Sequence, residues 1–302
     1  MTGITTAVIP VGGLGTRFYP LTKTLRKYLL PVYDRPVIDY LLDNCIEAGI
    51  QHVVFVVMEG DLQLAHYLGE DVVLKQALTS RGKGYVYTKL IAPLHKRIKT
   101  TIVEQPLGTN CGTAAAILFA QKHLPADEPF MVMMGDNFLW RADGGSDIAD
   151  MITSYQNSGA AGACMVEHAQ TFSGLQCNAA VTLRPGAGQY RYLQDIVEKP
   201  TRDVRPRLGS VGRYIFEPSI FAILHSQEPD KDSGEYYLPD TIKLLSQQSL
   251  VLVHTIQGRQ LDCGIPKNWL RTNNFIARQR LKTFAVQPAP GIAPGQLSTP
   301  LL

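Results

Sequence analysis

Short unbroken apolar runs alternate along this chain with longer stretches whose apolar residues recur every three or four positions. Ala7–Val11 and His52–Val57 read as strands buried on both faces, because neither run gives one side of a strand to water. Between them Val37–Ala48 gathers its apolar positions on one helical face and predicts an amphipathic helix. The theme repeats: Thr101–Glu104 predicts a strand, residues 112–122 a helix, and Phe130–Gly135 a second buried strand. Further strands are predicted at 160–167, 179–185, 191–197, 209–216 and 250–256. A helix is predicted from Pro266, a residue suited to a first turn, to Lys282. Strands alternating with helices imply right-handed crossovers and a largely parallel sheet, so ligands are expected beyond the strand C-termini. Pro10 alone argues against its strand, since proline donates no ladder hydrogen bond.

Composition narrows the partners. The 302 residues are 45% apolar and 18% charged with a net charge of +3, which gives no case for nucleic acid or an anionic membrane surface. No apolar run approaches the ~18 residues that span a bilayer, and Met1–Val11 lacks the features of a secretory leader, so a cytoplasmic location is expected. Cys45, Cys111, Cys164, Cys177 and Cys263 are widely spaced and imply neither a disulfide framework nor a zinc site. The basic stretch 81–99, with Tyr85 and Tyr87 among its cations, reads as a solvated insertion or subunit contact. It is too isolated in a near-neutral chain to suggest nucleic-acid binding. The proline- and glycine-rich tail, 284–302, is expected to be disordered.

Candidate chemistry starts where the first strand ends. Gly12-Gly13-Leu14-Gly15-Thr16-Arg17, followed by Lys23 and Lys27, combines a backbone turn that can close on an anion with a set of cations suited to a polyphosphate. A dinucleotide fingerprint would need glycine or alanine where Phe18 stands, and a P-loop would need a Gly-Lys-Ser/Thr triplet that is absent. Asp136 ends the strongly apolar run before it. A carboxylate there can bind a hard cation such as Mg²⁺ or cap the following turn.

Gly-Thr-Arg at 15–17, Lys27-Tyr28-Leu29-Leu30-Pro31 and Arg35-Pro36 together resemble the opening of bacterial UTP–glucose-1-phosphate uridylyltransferases, and more broadly the sugar-nucleotide pyrophosphorylases. Shorter islands of resemblance continue to about residue 280. The resemblance implies a Rossmann-like α/β fold, a mixed and mainly parallel sheet flanked by helices, with a sugar-binding lobe. It keeps the first strand despite Pro10. It implies one nucleotidyltransferase domain over 1–283, its nucleotide-binding part about 1–140 and its sugar-binding part about 141–283. Partners would be UTP, or another pyrimidine nucleoside triphosphate, and a hexose 1-phosphate, with Mg²⁺ as cofactor and a homo-oligomer as the expected assembly.

Site roles follow from the same resemblance. Arg17 would hold the β- and γ-phosphates on the turn formed by Gly12, Gly13, Gly15 and Thr16, and Lys27 would lie near the α-phosphate. Asp136 and Asp262, the latter in Leu261-Asp262-Cys263-Gly264, would hold the metal. Gln105 and Gly112 would read the base, an amide offering both donor and acceptor to uracil. Glu198 and Lys199, in Val197-Glu198-Lys199-Pro200, would take the sugar hydroxyls and the sugar phosphate, and Gly174 would lie over the sugar ring. Adjacent strand residues face opposite sides, so Glu198 and Lys199 can share a ligand only if the strand ends or bulges there. Pro200 should hold Lys199 extended. Ser233-Gly234-Glu235 through Asp240 reads as a structural loop entering a helix, with Glu235 not catalytic.

Some positions depart from the uridylyltransferase pattern. Arg26-Lys27-Tyr28 replaces the usual Pro-Lys-Glu, Asn110-Cys111-Gly112-Thr113 replaces a glycine-rich segment at the base, and Gly135-Asp136-Asn137 is nearer the thymidylyl branch. A dTTP-dependent or other hexose-1-phosphate nucleotidyltransferase is therefore an alternative. A catalytically silent regulatory paralogue is another, although retention of Arg17, Lys27, Asp136 and Asp262 argues against it. A dinucleotide oxidoreductase is opposed by Phe18.

Overall fold

The computed structural model describes residues 3–91, 98–109, 111–176, 178–186 and 188–286. Its strands are β1 (Thr6–Pro10), β2 (Pro31–Val32), β3 (Arg35–Pro36), β4 (His52–Met58), β5 (Lys99–Gln105), β6 (Phe130–Met133) and β7 (Asn137–Trp140). They continue with β8 (Gly162–His168), β9 (Ala180–Leu183), β10 (Arg191–Val197), β11 (Leu208–Phe216), β12 (Val251–Thr255) and β13 (Arg259–Asp262). Nine of them form one sheet in the order β5-β4-β1-β6-β11-β8-β12-β10-β9, and β2–β3 and β7–β13 form two small antiparallel pairs.

The unbroken apolar runs are explained by burial on both sides. Ala7, Ile9, Val53, Phe55, Val57, Met131 and Met133 face a core that includes the helices Val37–Glu47 and Asp147–Ser158. Their neighbours Val8, Val54, Val56, Phe130 and Val132 face a second core with the helices Thr113–Ala120, Ile220–Ser226 and Leu238–Gln248. The period of two places alternate residues in opposite cores. Each such Val, Ile or Phe contributes roughly 2 kcal/mol on burial, so a charge at Val54 or Phe55 would be strongly destabilising.

The parallel character expected from the sequence holds from β5 through β4 and β1 to β6, and again between β12 and β8. The other joins are antiparallel. Connection length explains one of these joins: the segment between β9 and β10 is too short for a crossover, and such a link forces antiparallel pairing. Because β9 also pairs with β11, strands β11, β8, β12, β10 and β9 close into a ring and leave no free edge there. The sheet runs on across residue 140, since β6 pairs with β11.

Pro10 is accommodated as the last residue of β1. The β6 ladder stops at Val8, and β4 remains its partner, so no β6 bond is lost at Pro10. The last helix extends beyond Lys282 to Val286, which places residues 284–286 of the expected tail in a helix; 287–302 lie outside the described residues. Of the basic stretch, 92–97 is likewise outside, and so is Cys177. Tyr87 is buried, and its hydroxyl accepts from the Asp71 amide, whereas Tyr85 is exposed. Among the described residues no helix is long and apolar enough to cross a membrane.

Candidate active site

Beyond β1 Gly12 is set by close backbone approach. A Cβ on Gly12 would stand 3.1 Å from the amide nitrogen of Met58 at the end of β4. Gly15 sits in the left-handed region at φ 66°, and its carbonyl accepts from the buried Thr22 hydroxyl at 2.8 Å. The chain then makes a single 3₁₀ turn, Thr16–Phe18, and buries Phe18 edge-on against Trp269. The bulk that excluded a dinucleotide fingerprint therefore has a packing role. Arg17 points to solvent on the same turn. Neither it nor Lys23 has an ion-pair partner among the described residues.

The two aspartates are brought together by a ladder that the sequence did not reveal. β7 leaves Asp136 and pairs with β13 so that Asn137 stands opposite Asp262, and the Cys263 amide donates to the Asp136 carbonyl at 2.8 Å. Asn44 anchors β7 from the side, donating to the Leu139 carbonyl and accepting from its amide. The Lys27 ammonium lies 2.7 Å from Asp136 Oδ2. Burial opposes the charge on Asp136, but Lys27 and the Arg213 guanidinium outweigh it and hold the carboxyl below its ordinary range. Asp262 goes the other way, raised by burial and by the nearby Asp136 charge, against the Asn268 amide and the Gly264 N–H that bind it.

A cavity of about 540 Å³ opens in front of this centre. Gly12, Gly13, Gly15, Thr16, Lys27, Gln105, Gly112 and Asp136 all line it, so most of the predicted nucleotide residues share one space. Gly112, at φ 116°, begins the helix Thr113–Ala120. A Cβ there would fall 2.4 Å from the Tyr236 carbonyl oxygen, so this glycine is required by packing whatever it does for a ligand. Glu235, read from sequence as part of a structural loop, also lines the cavity.

Outside the residues that line the cavity, β10 stops at Val197, as sharing of a ligand by Glu198 and Lys199 requires. The expected extended geometry of Lys199 is not found. Its φ is 43°, left-handed despite the following Pro200, and its ammonium lies 5.5 Å from the centre of the Tyr237 ring. Burial raises the Glu198 carboxyl; Lys199 counters this, and Asp240 and Glu235 add to the rise. Gly174 lies exposed in the short helix Phe172–Leu175, outside the cavity lining, and Gln176 beyond it reaches the Pro200 carbonyl.

One buried group behind the aspartates went unread. Arg213 is fully buried on β11, its guanidinium donating to the carbonyls of Asn137 (2.7 Å), Gly212 (3.2 Å) and Val211 (3.3 Å). A bulge between Ser210 and Tyr214, with Gly212 at φ 70°, aims it there. Burial lowers its pKa to about 10, against the pull of Cys45 and Asp136, so it stays charged at neutral pH. A lone arginine inside the apolar run 209–216 was the available signal.

The donors fit a hard divalent cation. A Cβ on Gly264 would stand 2.9 Å from Asp262 Oδ1 and 3.0 Å from Asp136 Oδ2, so both carboxylates border one small space that only glycine leaves open. Among the described residues no group of three or more His, Cys, Asp or Glu could hold a metal, so protein would supply two carboxylates and leave the remaining positions to water and phosphate oxygens.

Residues 6–279 match the family described as nucleotidyl transferase. The UTP–glucose-1-phosphate uridylyltransferase of Escherichia coli (strain K12) is 32% identical over 271 residues, spanning 87% of each chain. A structure of UTP-bound UGPase from Acinetobacter baumannii superposes with a TM-score of 0.80 at 27% identity, covering 94% of this chain and 99% of that one. A UDP-glucose pyrophosphorylase complexed with UDP-glucose gives a TM-score of 0.79 at 25% identity, over 92% of this chain and 100% of the other.

Proposed function

The chain belongs to the nucleotidyl transferase family, and on that footing we propose that it joins UTP to glucose 1-phosphate to give UDP-glucose and pyrophosphate. The observation that carries this reading is the convergence of Asp136, Asp262 and Lys27 at the mouth of a glycine-lined cavity. An oxygen of the sugar phosphate attacks the α-phosphorus. The bond from that phosphorus to the bridging oxygen of the β-phosphate breaks, and its electron pair departs with pyrophosphate. Nothing covalent is asked of the protein; alignment and charge neutralisation do the work.

In this reading the amides of the Gly12–Thr16 turn and the forked guanidinium of Arg17 receive the leaving phosphates. Lys27 offsets charge that builds on the α-phosphate. Asp136 and Asp262 would hold Mg²⁺, which would supply Lewis-acid neutralisation of the phosphate oxygens. Gln105 and Gly112 seat the base. The corner Glu198–Lys199 grips the sugar hydroxyls and sugar phosphate, with Gly174 beside it. A cytoplasmic, homo-oligomeric enzyme completes the proposal.

The test is a pyrophosphate-release screen of four nucleoside triphosphates against several hexose 1-phosphates. UTP with glucose 1-phosphate should be the fastest pair. A faster reaction with dTTP would move the assignment to the thymidylyl branch, and no release with any pair would reject catalysis.

A further inference from the structure

The lysine at the reaction centre is flanked by Arg26 and Tyr28, and both side chains turn to a single carboxylate. Asp61, almost fully buried beyond the end of β4, accepts the Tyr28 hydroxyl at 3.0 Å and pairs with Arg26 Nε at 3.1 Å, both through Oδ2. Its other oxygen accepts the Gln63 amide at 3.1 Å. Gln63 in turn accepts the Arg26 amide at 2.9 Å and donates to the Thr24 carbonyl at 2.7 Å. Every fastening of residues 24, 26 and 28 just described runs to one short loop. Lys27 projects from the middle of that span to Asp136.

The strand that leads into this loop also borders the phosphate turn. The β4 terminus is where the backbone of Met58 approaches Gly12. A shift of the loop would therefore displace both the glycine turn and the lysine. A buried carboxylate with a charged and a neutral donor is costly to assemble, and removing one donor leaves the other groups poorly paired.

We propose that Asp61, through Tyr28 and Arg26, is a positioning residue that sets the Lys27 ammonium for the reaction. It stands in for the carboxylate absent from the chain beside the lysine, where Tyr28 is found. This rests on the reaction proposed above. The clamp acts on the placement of one ammonium, so its loss should slow turnover more than it weakens substrate binding.

Tyr28→Phe removes the hydroxyl and keeps the ring in its buried seat; Asp61→Asn removes the charge. Steady-state kinetics with UTP and glucose 1-phosphate, alongside melting curves, separate the cases. Tyr28→Phe should lower kcat about tenfold, with KM for both substrates within about twofold and only a modest fall in Tm from the lost hydrogen bond. Asp61→Asn should lower kcat further. Wild-type kcat in Tyr28→Phe would overturn the proposal, and so would a rate loss matched by a rise in KM or found only where the protein is already melting. A wild-type chain that releases no pyrophosphate counts against the reaction itself, whereas wild type and Tyr28→Phe turning over equally counts against the clamp alone.

Discussion

At one end of the cavity, backbone touches backbone: Gly12 against Met58, Gly112 against Tyr236, and Asp136 held by the β7–β13 ladder. Outside the cavity lining, Glu198 and Lys199 stand on a corner where the strand has just stopped, with Lys199 left-handed and its ammonium over a tyrosine ring. The first end is rigid because any added atom collides. The second is a local arrangement, holding a conformation that costs on the order of 1–2 kcal/mol for a non-glycine residue. The contrast matches the division of labour proposed here: in-line chemistry needs fixed positions, while a corner that receives a second substrate needs reach.

The sharpest way to break the comparison is at the rigid end. Asp136→Asn or Asp262→Asn should lower kcat by about a thousandfold or more while the chain stays folded. The folded outcome is expected for Asp262 in particular, since its charge is disfavoured by burial and by Asp136, and an amide relieves that repulsion. Pyrophosphate release and circular dichroism check it; near-normal Mg²⁺-dependent turnover in either variant removes the metal assignment.

A smaller effect is expected at the corner. Lys199→Ala should raise KM for glucose 1-phosphate about tenfold and leave nucleotide affinity within about twofold, since only a charge-assisted contact to the sugar phosphate is lost. Equal losses for both ligands would deny the corner a substrate of its own.

The smallest effect sharpens the contrast through pH. Glu198 has its folded-state pKa raised, first by burial, so its ionised form weighs on the fold above that pKa. Glu198→Gln should therefore be slightly more stable than wild type at neutral pH, by less than about 1 kcal/mol. The gap should close as pH falls through the ordinary carboxylate value, where the wild-type side chain is neutral in both states. Melting temperatures from pH 7 to 4 test this, and a gap that does not change with pH would deny Glu198 its strained setting.

Much of the rigid end was legible. Glycines after a buried strand, cations beyond them and a carboxylate after another buried strand are local signals, and the glycines, Lys27 and Asp136 line one cavity, whereas Arg17 and Lys23 lie outside its lining. The helix Asp147–Ser158 could also have been read: Ile148, Met151, Ile152 and Tyr155 are spaced for one face, and Ser146 caps it. The helix Val72–Ser80 buries none of its residues, so no core-facing stripe existed to find. What the sequence could not announce was pairing between distant pieces. The meeting of β7 with β13, the fastening of residues 24–28 to Asp61 and Gln63 and the bulge that aims Arg213 depend on register across the whole chain. The left-handed Lys199 ran against its local preference, a conflict that tertiary contacts resolve and propensity cannot.

The junction at Gly112, where the base is proposed to sit, has a consequence for anyone wishing to re-engineer base preference. Tyr236 donates to the Cys111 carbonyl and accepts from Ala114, while Thr113 accepts the amide of Leu238. The segment ahead of the helix and the loop over it are thus stitched together across more than a hundred positions of sequence. Grafting either from a cousin enzyme without its counterpart would place mismatched main chains in contact. The two stretches should be exchanged, and should have diverged, as one inheritable unit.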